Sequence, residues 1–420
     1  MGSIFGTGRS SAPAIPAIGV RFTTSLYGRP RAIGYGQTRI APNIIDYGGF
    51  TSKPAAQPGG KGGGGGGGKG QPQSYNYSAS FIVSLGEQVS QVLAIYNGNS
   101  VDYLTVPPDP FLALLAQIGI VPTKGNTYNV ELHNGSLTQT ASPYWASAFP
   151  AKALAYRGQA LAVFPNLPLG SSPSLPNFNF EVLYPINSDI PTLGPDANPA
   201  DVVADLIANP TYGVAGFSAA LFGDLTTAKN YWRATGLLIS DAISSATAVN
   251  SYLKALMAAL NADFRWSNGK LDIVPFGDVA ITANGYTYTP NVTPIYDLVQ
   301  DDLLPNTGSL GSSGGGNTPI SFSRTDPKNI KNKIQLEYLD RNTLYNPAIV
   351  YAADDASITQ TRLRLSDKKQ CHFFASIAAA RMSASLQLHR EAVSGSVYQI
   401  TVGSKFCLLE ALDLITVTEQ

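Results

Sequence analysis

The sequence is short of charge, of histidine and of cysteine, and each shortage removes a class of function. Only 13% of its 420 residues are Asp, Glu, Lys or Arg, about half the usual share. Its polar surface therefore has to come from Asn, Ser, Thr, Gln, Gly and Tyr, a chemistry that suits a β-rich subunit covered by neighbours. The 28 basic and 28 acidic residues cancel, which leaves no overall drive towards nucleic acid or a membrane surface. The histidines, His133, His372 and His389, have no metal-type partner four positions on and no Cys-x-x-Cys nearby. Cys371 and Cys407 are too few for a disulfide framework, so burial or a reducing compartment is the reading. Cys371 and His372 are adjacent, and neighbouring side chains diverge on a helix or strand, which makes them a poor nucleophile and base pair. Asp301-Asp302, Asp326 and Asp354-Asp355 stand in loop-like sequence without the dense D-x-D-x-D-G pattern of a calcium loop, and read as solvated turns. No apolar run approaches the roughly 18 residues of a membrane span, and the N-terminus lacks the continuous apolar core of a signal peptide. The expectation is a protein without catalytic residues, cofactor, metal or stable membrane insertion, assembled in a cytoplasm.

What is present is a well-patterned scaffold. Apolar residues make up 44% of the chain, enough for real cores, and the length allows about two to four domains. The clearest unit runs from Gly236 to Asp278. Val249, Tyr252, Leu253, Leu256 and Leu260 recur at three and four residues, which predicts a helix over 246–261 with Ser244 or Ser245 as its cap. After Asp263 the period drops to two. Phe264 and Trp266, then Leu271 and Ile273, flank Asn268-Gly269, the dipeptide of a type I′ hairpin turn. The result is a helix packed on a hairpin.

Taken in order, residues 20–50 are rich in Gly, Pro, aromatic and β-branched side chains, which predicts short strands with tight bends. The run PGGKGGGGGGGKGQPQ follows. Walker A needs Gly-Lys followed by Ser or Thr, whereas Lys61 and Lys69 are each followed by glycine, so this is read as a flexible loop. Tyr75, Tyr77, Ala79, Phe81 and Val83 alternate beyond it, making the loop the long tip of a hairpin. Residues 96–170 form a small lobe with a short apolar segment at 111–120 and a cluster at Pro143, Tyr144 and Trp145. Phe178, Phe180 and Val182 resume a strand. A second helix starts at Asn198, a good N-cap followed by Pro199 and Asp201, and ends at Asn209-Pro210. Residues 308–316 are a further glycine-rich joint. Ile334, Leu336 and Tyr338 pair with 348–351, a helical period spans 372–390, and Tyr398, Ile400 and Val402 form a strand. Leu412, Leu414, Ile415 and Val417 begin another. A chain ending after a strand suggests the front part of something longer, or pairing with another chain.

The series SLYGRPRAIGYGQTRIAPNIIDYGGF, YSASFIVSLGE, YRGQALAVFPNLPLG, NPADVVADLIANPTYGV, GLLIS, NADFRWSNGKLDIVPFGD and KIQLEYLDRNTLYNPAIV resembles the central baseplate-hub or tail-tip proteins of long-tailed bacteriophages and gene transfer agents. The resemblance runs from about Val20 to Val417. No single motif in it is specific, whereas the ordered series is fairly specific. It implies a homotrimeric hub whose barrel-like β domains close the tail tube, with distal tail and other baseplate proteins as neighbours. It also implies a central path for the tape measure protein and DNA. Family members often continue into fibronectin-like modules or a receptor-binding tip.

The expected fold class is therefore β-rich α+β and multidomain, with barrel-like hub domains and peripheral lobes. Residues 1–95, carrying the loop 54–72, and 150–190 form one hub domain, with 96–149 as an inserted lobe. Residues 191–280 form an α+β lobe, and 281–420 a second hub domain containing the helix 372–390. Residues 1–86 hold eight basic residues against Asp46 alone. Lys53, Lys61 and Lys69 in and beside the glycine loop make it a candidate partner contact, with transient, non-specific attraction to passing DNA. The alternative function is a receptor- or glycan-binding protein at the tail end, for which Tyr144, Trp145 and Tyr156 would supply a sugar-stacking face.

Overall fold

The structure is a computed structural model, and it describes residues 30–55, 74–98, 100–102, 129–187, 190–245, 248–304, 320–326, 328–393 and 396–418. The expected segments at 20–29, 56–73, 111–120 and 308–316 lie outside the described residues. The chain is β-rich α+β, and divides into one compact unit formed by residues 1–33 and 39–184 and another formed by 34–38 and 185–420. Among the described residues no helix is long and apolar enough to cross a membrane.

In the first unit the strands Asn43–Pro54 and Tyr75–Gly86 pair antiparallel across the glycine-rich segment, with Pro54 opposite Tyr75. Ala160–Gly170 adds to the other edge of Tyr75–Gly86, and Glu131–His133 completes a sheet of four. A second sheet has the order Phe178–Leu183, Gln91–Asn97, Ser100–Asp102. Phe164 stacks on Phe178 and meets Phe180 edge-on, which places an aromatic core between the two sheets. The opposite face of the first sheet is also covered. Ile82, Leu161 and Val163 pack there with Trp145 of the short helix Pro143–Ala148. Both faces of Tyr75–Gly86 are thus buried from Ala79 onward, beyond the one-sided alternation read from sequence. Gly48 permits this packing, because a Cβ there would stand 2.7 Å from the Phe149 ring.

In the second unit Asn198 caps the helix Pro199–Ala208, its side-chain oxygen accepting from Ala200 N at 3.0 Å. The next helix, Thr226–Thr235, ends at Gly236 with φ of 72°. The helix Val249–Ala259 starts later than expected and is preceded by Ala248 with no side-chain cap, so neither Ser244 nor Ser245 caps it. It leads into the hairpin Ala262–Ser267 with Lys270–Pro275, where Asn268 and Gly269 take φ of 49° and 73°, the positive pair that a type I′ turn requires.

Further on, Lys333–Asp340 pairs antiparallel with Asn346–Ala353 and parallel with Lys369–Gln370. The helix over this region spans Ile377–Val393 and does not include 372–376. The reason is hydrogen bonding: the carbonyls of Phe373, Phe374 and Ala375 accept from Ser240, Leu339 and Arg341 and are not available to helical donors. Ser396–Ile400 pairs with Ile320–Arg324, and the last strand begins only at Ile415, since Leu412 sits at φ of 68°. That strand runs parallel to Tyr296–Val299.

The described strands form open sheets of two to four members, and no closed barrel occurs among the described residues. This corrects the barrel-like expectation. Closure needs a strand count and stagger that bring first and last edges together, and these short sheets do not reach it.

Candidate functional site

Of the three lysines expected at a partner contact, Lys53 lies near the end of the strand Asn43–Pro54, exposed and opposite Asn76. Pairing continues to the base of the glycine-rich segment, where Ala55 N donates to Ser74 O at 2.8 Å. Lys61 and Lys69 lie outside the described residues.

The titratable groups that could carry chemistry are engaged in structural work. Cys371 is buried, and burial pushes its thiol up to about 11. His372 turns to Glu337 at 2.8 Å and leaves the thiol without a base. The other Glu337 oxygen accepts from Lys368 at 2.5 Å. That hydrogen bond, and then the one from His372, hold the Glu337 carboxyl below its usual range. His133 is 3.8 Å from Glu131. Asp302 accepts from Lys405 at 2.9 Å, Asp354 caps the helix Asp355–Thr361 through Ser357 N, and Asp326 accepts from Lys328 N within a turn. Among the described residues no group of three or more His, Cys, Asp or Glu side chains is placed to hold a metal. A thiol reagent at neutral pH is therefore expected to modify the exposed Cys407 quickly, and Cys371 only after denaturation. Rapid double modification of the folded chain, read by mass, would contradict the placement of Cys371.

Two polar groupings stand out by burial. Arg341 donates to Asp196, Ser240 Oγ at 3.3 Å and the Gln37 carbonyl at 3.4 Å, and Ser240 in turn donates to Asp196 at 2.6 Å. Gly36 makes the approach possible, since a Cβ there would come within 2.2 Å of Ser240 Oγ. The second grouping lines a cavity of about 360 Å³, where Arg265 bridges Asp272 at 3.5 Å and Asp413 at 3.2 Å. The guanidinium ties the two carboxylates together across the cavity wall. Sequence reasoning missed both groupings. Arg341 and Asp196, like Arg265 and Asp413, are far apart in the chain with nothing local to join them, whereas Arg265 stands opposite Asp272 in the hairpin that Asn268-Gly269 implies.

The aromatics proposed as a sugar-stacking face are core. Trp145 is 1% exposed, and Tyr144 and Tyr156 pack against its cluster.

Residues 248–420 match a family described as "Putative phage tail protein", a stretch that falls within the second unit. The fold of the chain is similar to that of a chain in the solved "Virion of native gene transfer agent (GTA) particle". The TM-score is 0.57 at 16% identity, covering 97% of this chain and 83% of that one. At this identity the likeness is one of fold. No curated protein matches the sequence.

Proposed function

We propose that this chain is a structural component of a phage-type tail, and that within it the chain is the hub joining the tail tube to the tail tip. The observation that carries the reading is the fold likeness to a virion chain over 97% of the length, supported by the tail-protein family match over 248–420. In this reading the chain is a homotrimer contacting distal tail and other baseplate proteins, assembled in the bacterial cytoplasm and residing at the tail tip of the virion. It forms the exit path for the tape measure protein and DNA and has no enzymatic role. Lys53, Lys61 and Lys69 then contact the tape measure or a neighbouring subunit, with phosphate attraction to passing DNA as a secondary effect. The glycan-binding alternative loses its support with the burial of Trp145.

The test is to image particles carrying a labelled copy of the chain and count the label. Three copies at the distal end of the tail support the hub, whereas label along the tube or on the head overturns it. The same particles test the loop. Replacing residues 55–74 by Asn-Gly keeps the strand pairing on either side, so the isolated chain should fold as before. Particle yield or genome delivery should fall by about tenfold or more, as expected when a contact worth at least about 1.4 kcal/mol is lost. Normal infectious or gene-transferring particles from this variant would show that the loop makes no needed contact.

A further inference from the structure

The segment 362–370 is an open, cationic sheet edge built at a conformational cost. It runs parallel beside Lys333–Asp340, with Leu365 opposite Lys333 and Lys369 opposite Leu336. Buried Asn332 clamps its start. The Asn332 amide donates to Arg362 O at 2.7 Å, and its side-chain oxygen accepts from Arg364 N at 2.7 Å. The clamp holds Arg362 at φ 67° and ψ 169°, a region that is essentially glycine's alone and that clusters at functional sites when other residues occupy it. A strained position that glycine would fill more easily carries an arginine instead.

Strand addition is prepared on the outer side of this edge. Lys333 N donates to Arg364 O at 3.2 Å and Ser366 N donates to Lys333 O at 2.8 Å. In a parallel ladder this alternation turns the N–H and C=O of Leu365 away from the sheet. Neither group has a partner among the described residues. Leu363 and Leu365 are 56% and 41% exposed. The segment 362–370 carries Arg362, Arg364, Lys368 and Lys369 against Asp367 alone, and Lys368 is paired with the Glu337 carboxylate. In a chain with no net charge, this is a local cationic surplus with apolar residues set into it.

We propose that this edge binds an extended acidic segment of a partner protein, in which carboxylates alternate with aliphatic residues, added as a further strand. The main chain of the segment would meet Leu365, its carboxylates the arginines and lysines, and its aliphatic side chains Leu363 and Leu365. A nucleic acid fits less well. Residues 361–370 contain no aromatic side chain for base stacking, and Asp367 interrupts the line that a continuous phosphate chain would follow.

The test is fluorescence anisotropy of the full chain with a labelled peptide of about ten residues alternating Glu and Val, long enough to span the edge. Saturable binding that weakens as salt rises from about 0.05 to about 0.5 M is expected. Arg362→Gly separates binding from folding, because glycine relieves the strained backbone while removing the charge. It should keep or raise the urea midpoint and weaken binding by about fivefold or more. The double variant Arg362→Gly/Lys369→Gln should weaken it further, and Lys270→Gln, at the start of the strand Lys270–Pro275, should change nothing. Absence of saturable binding at low salt would overturn the proposal, as would equal affinity of Arg362→Gly. Tighter binding of single-stranded DNA of equal charge, or of phosphatidylglycerol vesicles, would assign the edge to another class of partner and overturn it as well.

Discussion

Arg341→Ala is expected to destabilise the chain by about 3–5 kcal/mol in urea titration, because it leaves a buried carboxylate without its counter-charge. Asp196 is 2% exposed against 20% for Arg341, and its remaining partner is the Ser240 hydroxyl at 2.6 Å. Asp196→Ala strands a charge that still reaches solvent, and should cost less. Replacing both, as Arg341→Met with Asp196→Leu, should recover part of the loss, since Gln37 O keeps the Tyr345 hydroxyl at 3.3 Å. A deficit under about 1 kcal/mol would mean the pair is solvated in solution.

The same cluster shows where sequence reading stops. Arg341 and Asp196 are 145 positions apart, and neither lies in a local pattern that announces the other. Local chemistry was legible. The Asn198 cap, the Asn209-Pro210 stop and the Asn268-Gly269 turn are each dictated by a few adjacent residues, and each stands where those residues place it. A second turn of the same kind was overlooked: Asn284-Gly285 joins Ile281–Ala283 to Tyr286–Tyr288 with both φ positive. The helix Thr226–Thr235 was also missed. Its buried residues Ala228, Tyr231 and Trp232 have helical spacing, but they sit among Thr, Lys, Asn and Arg, so the stretch as a whole reads as polar. Period alone overran in 372–376, where the apolar spacing is helical but Ser240, Leu339 and Arg341 take the carbonyls. The parallel pairing of Tyr296–Val299 with Ile415–Thr418 is non-local, and four alternating residues do not name their partner. The candidate site follows the same division. The cationic run RLRLSDKK is plain in the sequence, whereas the clamp by Asn332, the strain at Arg362 and the open edge exist only once the sheet has formed.

Trp232→Ala is the second substitution with a large expected effect, about 3–5 kcal/mol. Trp232 is fully buried, and its indole Nε1 donates to Leu260 O at 3.0 Å, just beyond the helix Val249–Ala259. That carbonyl lies at a helix C-terminus, where in-helix donors have run out and another partner must be found. Next to it, Asn261 adopts φ of 55° and donates to the Tyr231 hydroxyl at 2.9 Å. Two consecutive side chains of one helix thus hold the turn at which the neighbouring helix becomes the strand Ala262–Ser267. Alanine removes the packing volume and the donor together. Trp232→Phe keeps most of the volume and loses only the donor, so it should cost about 1–3 kcal/mol, the penalty for an orphaned buried acceptor. Tyr231→Phe should act on the same turn, and its effect should be less than additive with that of Trp232→Phe, because both release residues 260–261. Hydrogen exchange supplies the readout that packing alone would not move: in Trp232→Phe the amides of 262–267 should lose protection before those of Pro199–Ala208. If both segments lose protection equally, the indole contributes packing only, and the turn is held by other contacts.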